Sequence, residues 1–166
     1  MTNSPLILDA EQTLRLPLAG VKLIEASAGT GKTYAISNLY LRYVLAGFQI
    51  SQILVVTFTN AATEELRGRI RKPLHEAQRA LEQLHSDSDL PEDEFRAGWL
   101  RELRAADEAQ RESALSRLRY AVRSMEEATI FTINGFCQRA LTEHNRIENL
   151  VALACRPESL NNNASL

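Results

Sequence analysis

A glycine-rich string directly after a short apolar run constrains the fold of this chain more than any other feature. Residues 26–33 read ASAGTGKT, and the apolar run VKLI occupies residues 21–24. The N–H groups of such a loop converge on a phosphate chain, a lysine adds positive charge, and a hydroxyl can coordinate Mg²⁺. A turn without a ligand would explain the glycines but not the adjacent Lys32 and Thr33. The string therefore predicts a phosphate-binding loop between a strand and a helix.

This loop assigns a role to each of its residues. We expect phosphate contacts from Ala26, Ser27, Ala28, Gly29, Thr30, Gly31, Lys32 and Thr33. Lys32 is placed near the terminal phosphates and Thr33 on Mg²⁺, so these two are the candidate catalytic residues. The helix that starts here also directs its N-terminal dipole at the anion.

The composition is consistent with an intracellular nucleotide-binding domain, but it would not by itself indicate one. The 166 residues suffice for one domain with a core, and the net charge of −2 gives no global positive field for nucleic acid. Cys137 and Cys155 are too few for a disulfide framework or a zinc site, and we expect both to be reduced and buried. No segment approaches the roughly 20 apolar residues of a membrane span, so we expect a cytoplasmic protein without a membrane partner.

The hydrophobic pattern alternates between strands and helices. Residues 21–25 and 53–56 are apolar runs typical of buried parallel strands, and residues 33–46 have a helical spacing that ends at Gly47. Asn60 is the expected N-cap of a second helix. The order strand, loop, helix, strand, helix predicts an α/β fold with a parallel sheet.

Residues 73–127 are charged and helical in pattern. Apolar residues repeat there at helical spacing, at Leu115, Leu118, Val122 and Met125. We expect a helical insertion packed on the sheet domain, with a break at residues 86–91; a partner-docking surface is the alternative. The strand pattern returns at residues 128–132. Three residues of the helix expected next can face a core: Phe136, Ala140 and Leu141.

Three sequence blocks together give a specific resemblance. LIEASAGTGKTYAISNLYLR, ILVVTFTNAATEELRGRIR and ATIFTINGFCQRAL occur in this order. Over residues 14–141 the chain resembles the opening motifs of the UvrD/Rep-type superfamily 1 DNA helicases. The resemblance implies a P-loop NTPase fold, an incomplete RecA-like first motor domain, with ATP and Mg²⁺ as cofactors. It also implies single-stranded DNA and duplex ends as partners, together with other subunits of an exonuclease complex that acts in double-strand-break repair and recombination.

The second and third blocks imply DNA contacts. Six residues match the family's positions: Phe58, Thr59, Asn60, Asn134, Gly135 and Phe136. An exposed Phe58 can stack on a base, and a core phenylalanine at a strand end is the alternative. Asn60 can cap its helix or bind a phosphate. Asn134 stands where the family has histidine; an amide keeps the hydrogen bonding but does not titrate near neutral pH.

Two more features have roles to assign. Gln12 takes the place of the glutamine that recognises adenine in the family, upstream of the loop. A local positive stretch consists of Arg67, Arg69, Arg71 and Lys72. It serves either phosphate contacts or a solvated helix face, and we favour the solvated face.

The groups that cleave ATP in the family are not found in the sequence. Hydrolysis needs an acidic pair after an apolar strand, to hold Mg²⁺ and activate water. The acidic clusters at residues 87–89, 92–94 and 126–127 do not follow such a strand. We therefore expect a truncated or frame-altered product that is inactive alone, with a divergent, poorly ordered tail at residues 142–166. The alternative is a catalytically inactive fragment that binds nucleotide or DNA.

Overall fold

Helices dominate the described part of the chain. A computed structural model describes residues 15–24, 31–83 and 93–154. In chain order the elements are α1 (Lys32–Leu45), a 3-10 turn (Ile50–Gln52), β1 (Val55–Thr57), α2 (Asn60–Glu82), α3 (Glu94–Ala105), α4 (Glu108–Arg123), a second 3-10 turn (Met125–Glu127), β2 (Ile130–Thr132) and α5 (Ile133–Ala154). Within these residues we find no helix with the length and apolarity to cross a bilayer.

The two strands form a small parallel sheet. Val55 lies opposite Ile130, and Thr57 lies opposite Thr132. Parallel strands require a long crossover connection, which α2, α3 and α4 supply here. The predicted α/β fold with a parallel sheet is confirmed, with two strands in the described sheet.

The prediction of a buried strand at residues 21–25 is wrong for residues 21–24, and residue 25 lies outside the described residues. Residues 21–24 form no strand, and Val21 and Leu23 are almost fully exposed. A parallel strand is buried only when neighbours pair with it and helices cover it. In the described residues the sheet consists of β1 and β2 alone. Residues 21–24 therefore have neither a neighbouring strand nor a covering helix.

The predicted strand at residues 53–56 is displaced and only half covered. The strand begins at Val55, and Val56 is 47% exposed while its neighbours are partly buried. Successive side chains of a strand point to opposite faces. Val56 therefore lies on the more exposed face of the sheet, opposite the face of Val55 and Thr57.

The hydrophobic core lies between α1, α2 and α4. Its largest fully buried members are Tyr40, Leu41, Val44, Ile50, Ile70, Leu74, Leu118, Met125 and Ile130. Burial raises the pKa of Tyr40 to about 12, against a smaller lowering by the charge of Arg67. Leu118, Val122 and Met125 of the apolar repeat in the 73–127 region therefore pack against the core side chains of α1 and α2.

The end of α1 matches its sequence signal. Gly47 has φ 102°, its N–H donates to the Val44 carbonyl, and the Phe48 N–H donates to the Tyr43 carbonyl, both at 3.0 Å. The rings of Phe48 and Tyr43 meet edge to face with centroids 5.4 Å apart. This is a Schellman ending with its hydrophobic contact, and the predicted stop at Gly47 is confirmed.

The second helix differs from its prediction at its start and at Pro73. Its N-cap is Thr59, not Asn60, because the Thr59 side chain accepts a hydrogen bond from the Ala62 N–H. Pro73 lies inside the helix and is buried, so one helix crosses the start of the predicted insertion. The predicted break at residues 86–91 lies outside the described residues, between the end of α2 and the start of α3.

The fifth helix is more exposed than predicted. Phe136, Ala140 and Leu141 were expected to face a core, and all three are exposed. Cys137 is exposed as well, whereas Cys155 lies outside the described residues. The small sheet offers too little surface to bury this face of the helix. The helix also continues through Ala154, into the stretch for which the sequence predicted a poorly ordered tail.

Two glycine substitutions should change stability in opposite directions. Gly47→Ala should lower the free energy of unfolding by about 1–2 kcal/mol, because a left-handed backbone strains any residue with a Cβ. Gly68→Ala should raise it by about 0.5–1 kcal/mol, because Gly68 is helical and an added Cβ meets nothing within 4 Å. Urea denaturation followed by circular dichroism measures both. A stabilising Gly47→Ala would contradict the described helix ending.

Candidate functional site

The structure describes only the end of the predicted phosphate loop. Gln12 and residues 26–30 lie outside the described residues, so their predicted contacts stay predictions. Gly31 is the N-cap of α1, with φ 86° and no side-chain cap. Lys32 is exposed and Thr33 is half-buried in the first turn of the helix.

This helix start has a donor set that fits a phosphate group. The N-terminus of a helix directs N–H groups and a positive dipole end at an anion, and Gly31 at the N-cap has no side chain in the way. Lys32 adds a positive charge, and the Thr33 hydroxyl is a suitable oxygen ligand for Mg²⁺. The residues present therefore suit Mg²⁺ and a nucleotide phosphate.

Side chains of α1 hold the segment that leads toward the loop. Arg42 Nη2 donates to the Leu16 carbonyl at 2.9 Å, and the Tyr43 hydroxyl donates to the Leu18 carbonyl at 3.1 Å. Burial lowers the pKa of Arg42, and its interaction with Tyr43 raises it in part. Residues 16–18, which precede the predicted phosphate loop, are thus held along the helix that follows it.

The two predicted DNA segments meet at one edge of the sheet. The strands β1 and β2 are parallel and end at the same level, at Thr57 and Thr132. Phe58 and Thr59 follow the first strand, and Asn134 follows the second after one residue. The parallel register therefore brings together segments that are about 75 residues apart in the chain.

Each segment opens a long helix whose first turn is capped by threonine. The Thr59 hydroxyl accepts from the Ala62 N–H, and the Thr132 hydroxyl accepts from the Gly135 N–H, both at 3.1 Å. A Cβ on Gly135 would lie 3.1 Å from Thr132 Oγ1, so glycine at this position leaves room for the cap. Two helix dipoles consequently place their positive ends beside the same sheet edge. Asn60 and Asn134, one in each first turn, are both exposed.

Phe58 projects from this edge into solvent. Its side chain is 90% exposed, so the alternative of a core phenylalanine is wrong. The turn that carries it is fixed by hydroxyls: Thr57 Oγ1 lies 2.6 Å from Thr63 Oγ1, and Thr63 Oγ1 donates to the Thr59 carbonyl at 3.0 Å. Phe136 is less exposed than Phe58, at 37%. An aromatic ring on a rigid turn is suited to stacking on a base.

The positive stretch of α2 is already paired. Arg67 donates to the carbonyls of Met125 and Ile130 at 3.2 and 3.3 Å, which ties α2 to the second strand. The other cations pair with carboxylates: Arg69 with Glu65, Arg71 with Glu126, and Lys72 with Glu76. These contacts support the predicted solvated face for those three and give Arg67 a structural role.

Acidic residues do not gather at the described sheet edge. Both described strands are followed by apolar or neutral polar residues, and the described ranges hold no group of three His, Cys, Asp or Glu side chains suited to a metal ion. Asp93, from the predicted acidic cluster at residues 92–94, instead caps α3.

Comparison with known families agrees with this arrangement. The UvrD/REP helicase N-terminal domain family matches residues 8–165, nearly the whole chain and well past residue 141, where the resemblance of the three blocks ended. The chain belongs to this family.

Among the relatives of this chain within the family are RecB subunits. The chain is 50% identical over 137 residues to the RecBCD enzyme subunit RecB of Escherichia coli K12, which covers 77% of this chain. It is 41% identical over 142 residues to RecB of Haemophilus influenzae, and 38% identical over 129 residues to RecB of Chlamydia trachomatis, which cover 79% and 76% of this chain. The chain spans 11% to 12% of the length of these relatives.

Proposed function

We propose that this chain is the ATP-binding N-terminal part of a RecB-like, ATP-dependent DNA helicase and exonuclease subunit. In this proposal residues 26–33 bind Mg·ATP, and the carboxyl edge of the sheet contacts single-stranded DNA. The full-length protein would act on duplex ends in double-strand-break repair, in the cytoplasm, within a complex of the exodeoxyribonuclease V type. The identity to RecB subunits supports the class of protein.

The observation that carries the DNA part is the pairing of the two motif segments at one sheet edge. Phe58 offers an exposed ring, and the capped starts of α2 and α5 place two positive dipole ends beside it. Stacking contributes about 1–3 kcal/mol per base, and helix N-termini favour phosphate groups. Both interactions are independent of base sequence, as translocation along DNA requires.

The nucleotide part rests on Lys32 and Thr33 at the start of α1, directly after the left-handed Gly31. Bound ATP supplies the free energy for movement on DNA. The residues of this chain bind and orient its phosphates: Lys32 by charge, Thr33 through Mg²⁺, and the first turn through its N–H groups. Gln12 is proposed to contact the adenine.

Lys32→Ala should weaken nucleotide binding by about tenfold or more, because a charge-assisted contact to phosphate is lost. Titration of a fluorescent ADP analogue in the presence of Mg²⁺ measures the dissociation constant. Arg69→Ala is the control, since Arg69 pairs with Glu65 on the surface of α2. Equal binding by wild type and Lys32→Ala would remove the support for the assigned loop.

Phe58→Ala should weaken binding of a fluorescent single-stranded oligonucleotide by about tenfold, through loss of one stacked base. Fluorescence anisotropy measures the affinity. Tyr120→Ala is the control, because it removes a half-exposed aromatic ring from α4 without touching either motif segment. If both variants lose the same affinity, the sheet edge is not the DNA site.

The second candidate is a fragment that binds nucleotide or DNA without catalysis. This candidate is favoured because no carboxylate that could hold Mg²⁺ directly follows either described strand. Hydrolysis also needs an arginine that stabilises the phosphoryl group during transfer, which contributes about 10³–10⁵ in rate. In the family the second motor domain supplies this arginine.

The 166-residue chain should therefore show no DNA-stimulated ATPase. Phosphate release with single-stranded DNA is the assay, and Lys32→Ala reports any contaminating enzyme. Turnover above about 1 s⁻¹ that disappears in Lys32→Ala would show that the chain holds a complete catalytic site.

A further inference from the structure

A polar cluster joins the start of α1 to α2 and α3. The Tyr34 hydroxyl donates to Asp93 Oδ2 at 2.6 Å. Asp93 is also the N-cap of α3, where its Oδ1 accepts from the Arg96 N–H at 2.9 Å. Arg96 donates from Nε to Asn38 Oδ1 at 3.1 Å and pairs through Nη1 with Glu76 of α2. One aspartate and one arginine of α3 thus hold two residues of α1.

The centre of the cluster is shielded from water, whereas Glu76 at its edge is 38% exposed. The side chains of Arg96 and Asp93 are 14% and 22% exposed, and Asn38 is fully buried. The Asn38 amide also donates to the Tyr34 carbonyl at 3.2 Å, which links the two α1 residues to each other. Hydrogen bonds are stronger in such surroundings than in water, and a network with partners on every side holds a single geometry.

Its two anchor points lie at the N-terminal end of α1, before the core residues of that helix. Tyr34 and Asn38 are four residues apart, so they lie on one face of the helix, separated by about 6 Å along its axis. Core side chains such as Tyr40, Leu41 and Val44 already pack α1 against its neighbours, and the two polar contacts hold its first two turns as well. The phosphate-binding residues immediately precede the first anchor. Binding groups of this kind must be placed to within about 0.5 Å.

We propose that Asp93 and Arg96 are positioning residues for nucleotide binding: Asp93 acts through Tyr34, and the Arg96 side chain acts through Asn38. They hold the first turn of α1 in the orientation that presents Lys32 and Thr33 to a phosphate group. This inference rests on the proposed nucleotide-binding function of the loop. Because both residues belong to the 73–127 region, that region sets the affinity of a loop some 60 residues earlier in the chain.

The test is a titration of the chain with the fluorescent ADP analogue and Mg²⁺. Arg96→Ala and Tyr34→Phe should each weaken binding roughly three- to tenfold, and the double variant should weaken it by less than the product, as coupled residues do. Asp93→Ala should weaken binding as well. Asp93→Asn, which keeps a cap for α3 and a hydrogen-bonding partner for Tyr34, should restore it. Thermal unfolding without nucleotide shows that each variant is folded.

Arg119→Ala is the matched control. It breaks an arginine–carboxylate contact between α4 and α2, with Glu82 at 2.9 Å, and leaves α1 untouched. Its affinity for the analogue should equal that of wild type. Equal weakening by Arg119→Ala and Arg96→Ala would show general loosening and overturn the inference.

The remaining outcomes separate this inference from the proposed function. Wild-type affinity in Arg96→Ala and Tyr34→Phe, with weak binding by Lys32→Ala, would overturn the positioning role alone. Wild-type affinity in Lys32→Ala would overturn both. If Arg96→Ala does not fold, Tyr34→Phe decides the question, because it removes a single oxygen atom.

Discussion

The parallel pairing of β1 with β2 is the contact on which the candidate DNA site depends. Only a parallel pair lets both chains leave the sheet at the same edge. A slip of one residue would turn the buried Ile130 to the open face. Side chains hold the register: Thr129 Oγ1 donates to the Ile53 carbonyl at 2.7 Å, and Arg67 of α2 donates to the Ile130 carbonyl. The helix layer thus stabilises a sheet too short to be stable by itself.

Local signals predicted the elements that local chemistry determines. Helix α1 and its ending at Gly47 follow from apolar spacing and one left-handed glycine. Both strands were found as β-branched runs. Asn60 was predicted as the cap and Thr59 is the cap in the structure, because both residue types cap helices well and local signals do not separate them. The choice is decided by hydroxyl contacts with Thr57 and Thr63 that form only in the folded turn.

Burial and long-range contacts were the parts that the sequence did not predict. An apolar run such as residues 21–24 looks buried, yet burial depends on partners elsewhere in the chain. The exposure of Cys137 likewise depends on how little sheet is available to α5. Asp93 and Arg96 have the three-residue spacing of a helix cap, which the sequence does display. Their contact with Tyr34 crosses 59 positions and leaves no local trace.

The pairing of the α2 cations has a consequence for the proposed binding of DNA. A protein gains most of its electrostatic affinity by releasing counterions from DNA, about one for each phosphate that a lysine or arginine neutralises. Arg69, Arg71 and Lys72 already neutralise carboxylates of their own chain, and the formal charge of the chain is negative. Contact through a stacked ring and helix dipoles displaces few ions. The affinity of this surface for single-stranded DNA should therefore fall only gently as ionic strength rises.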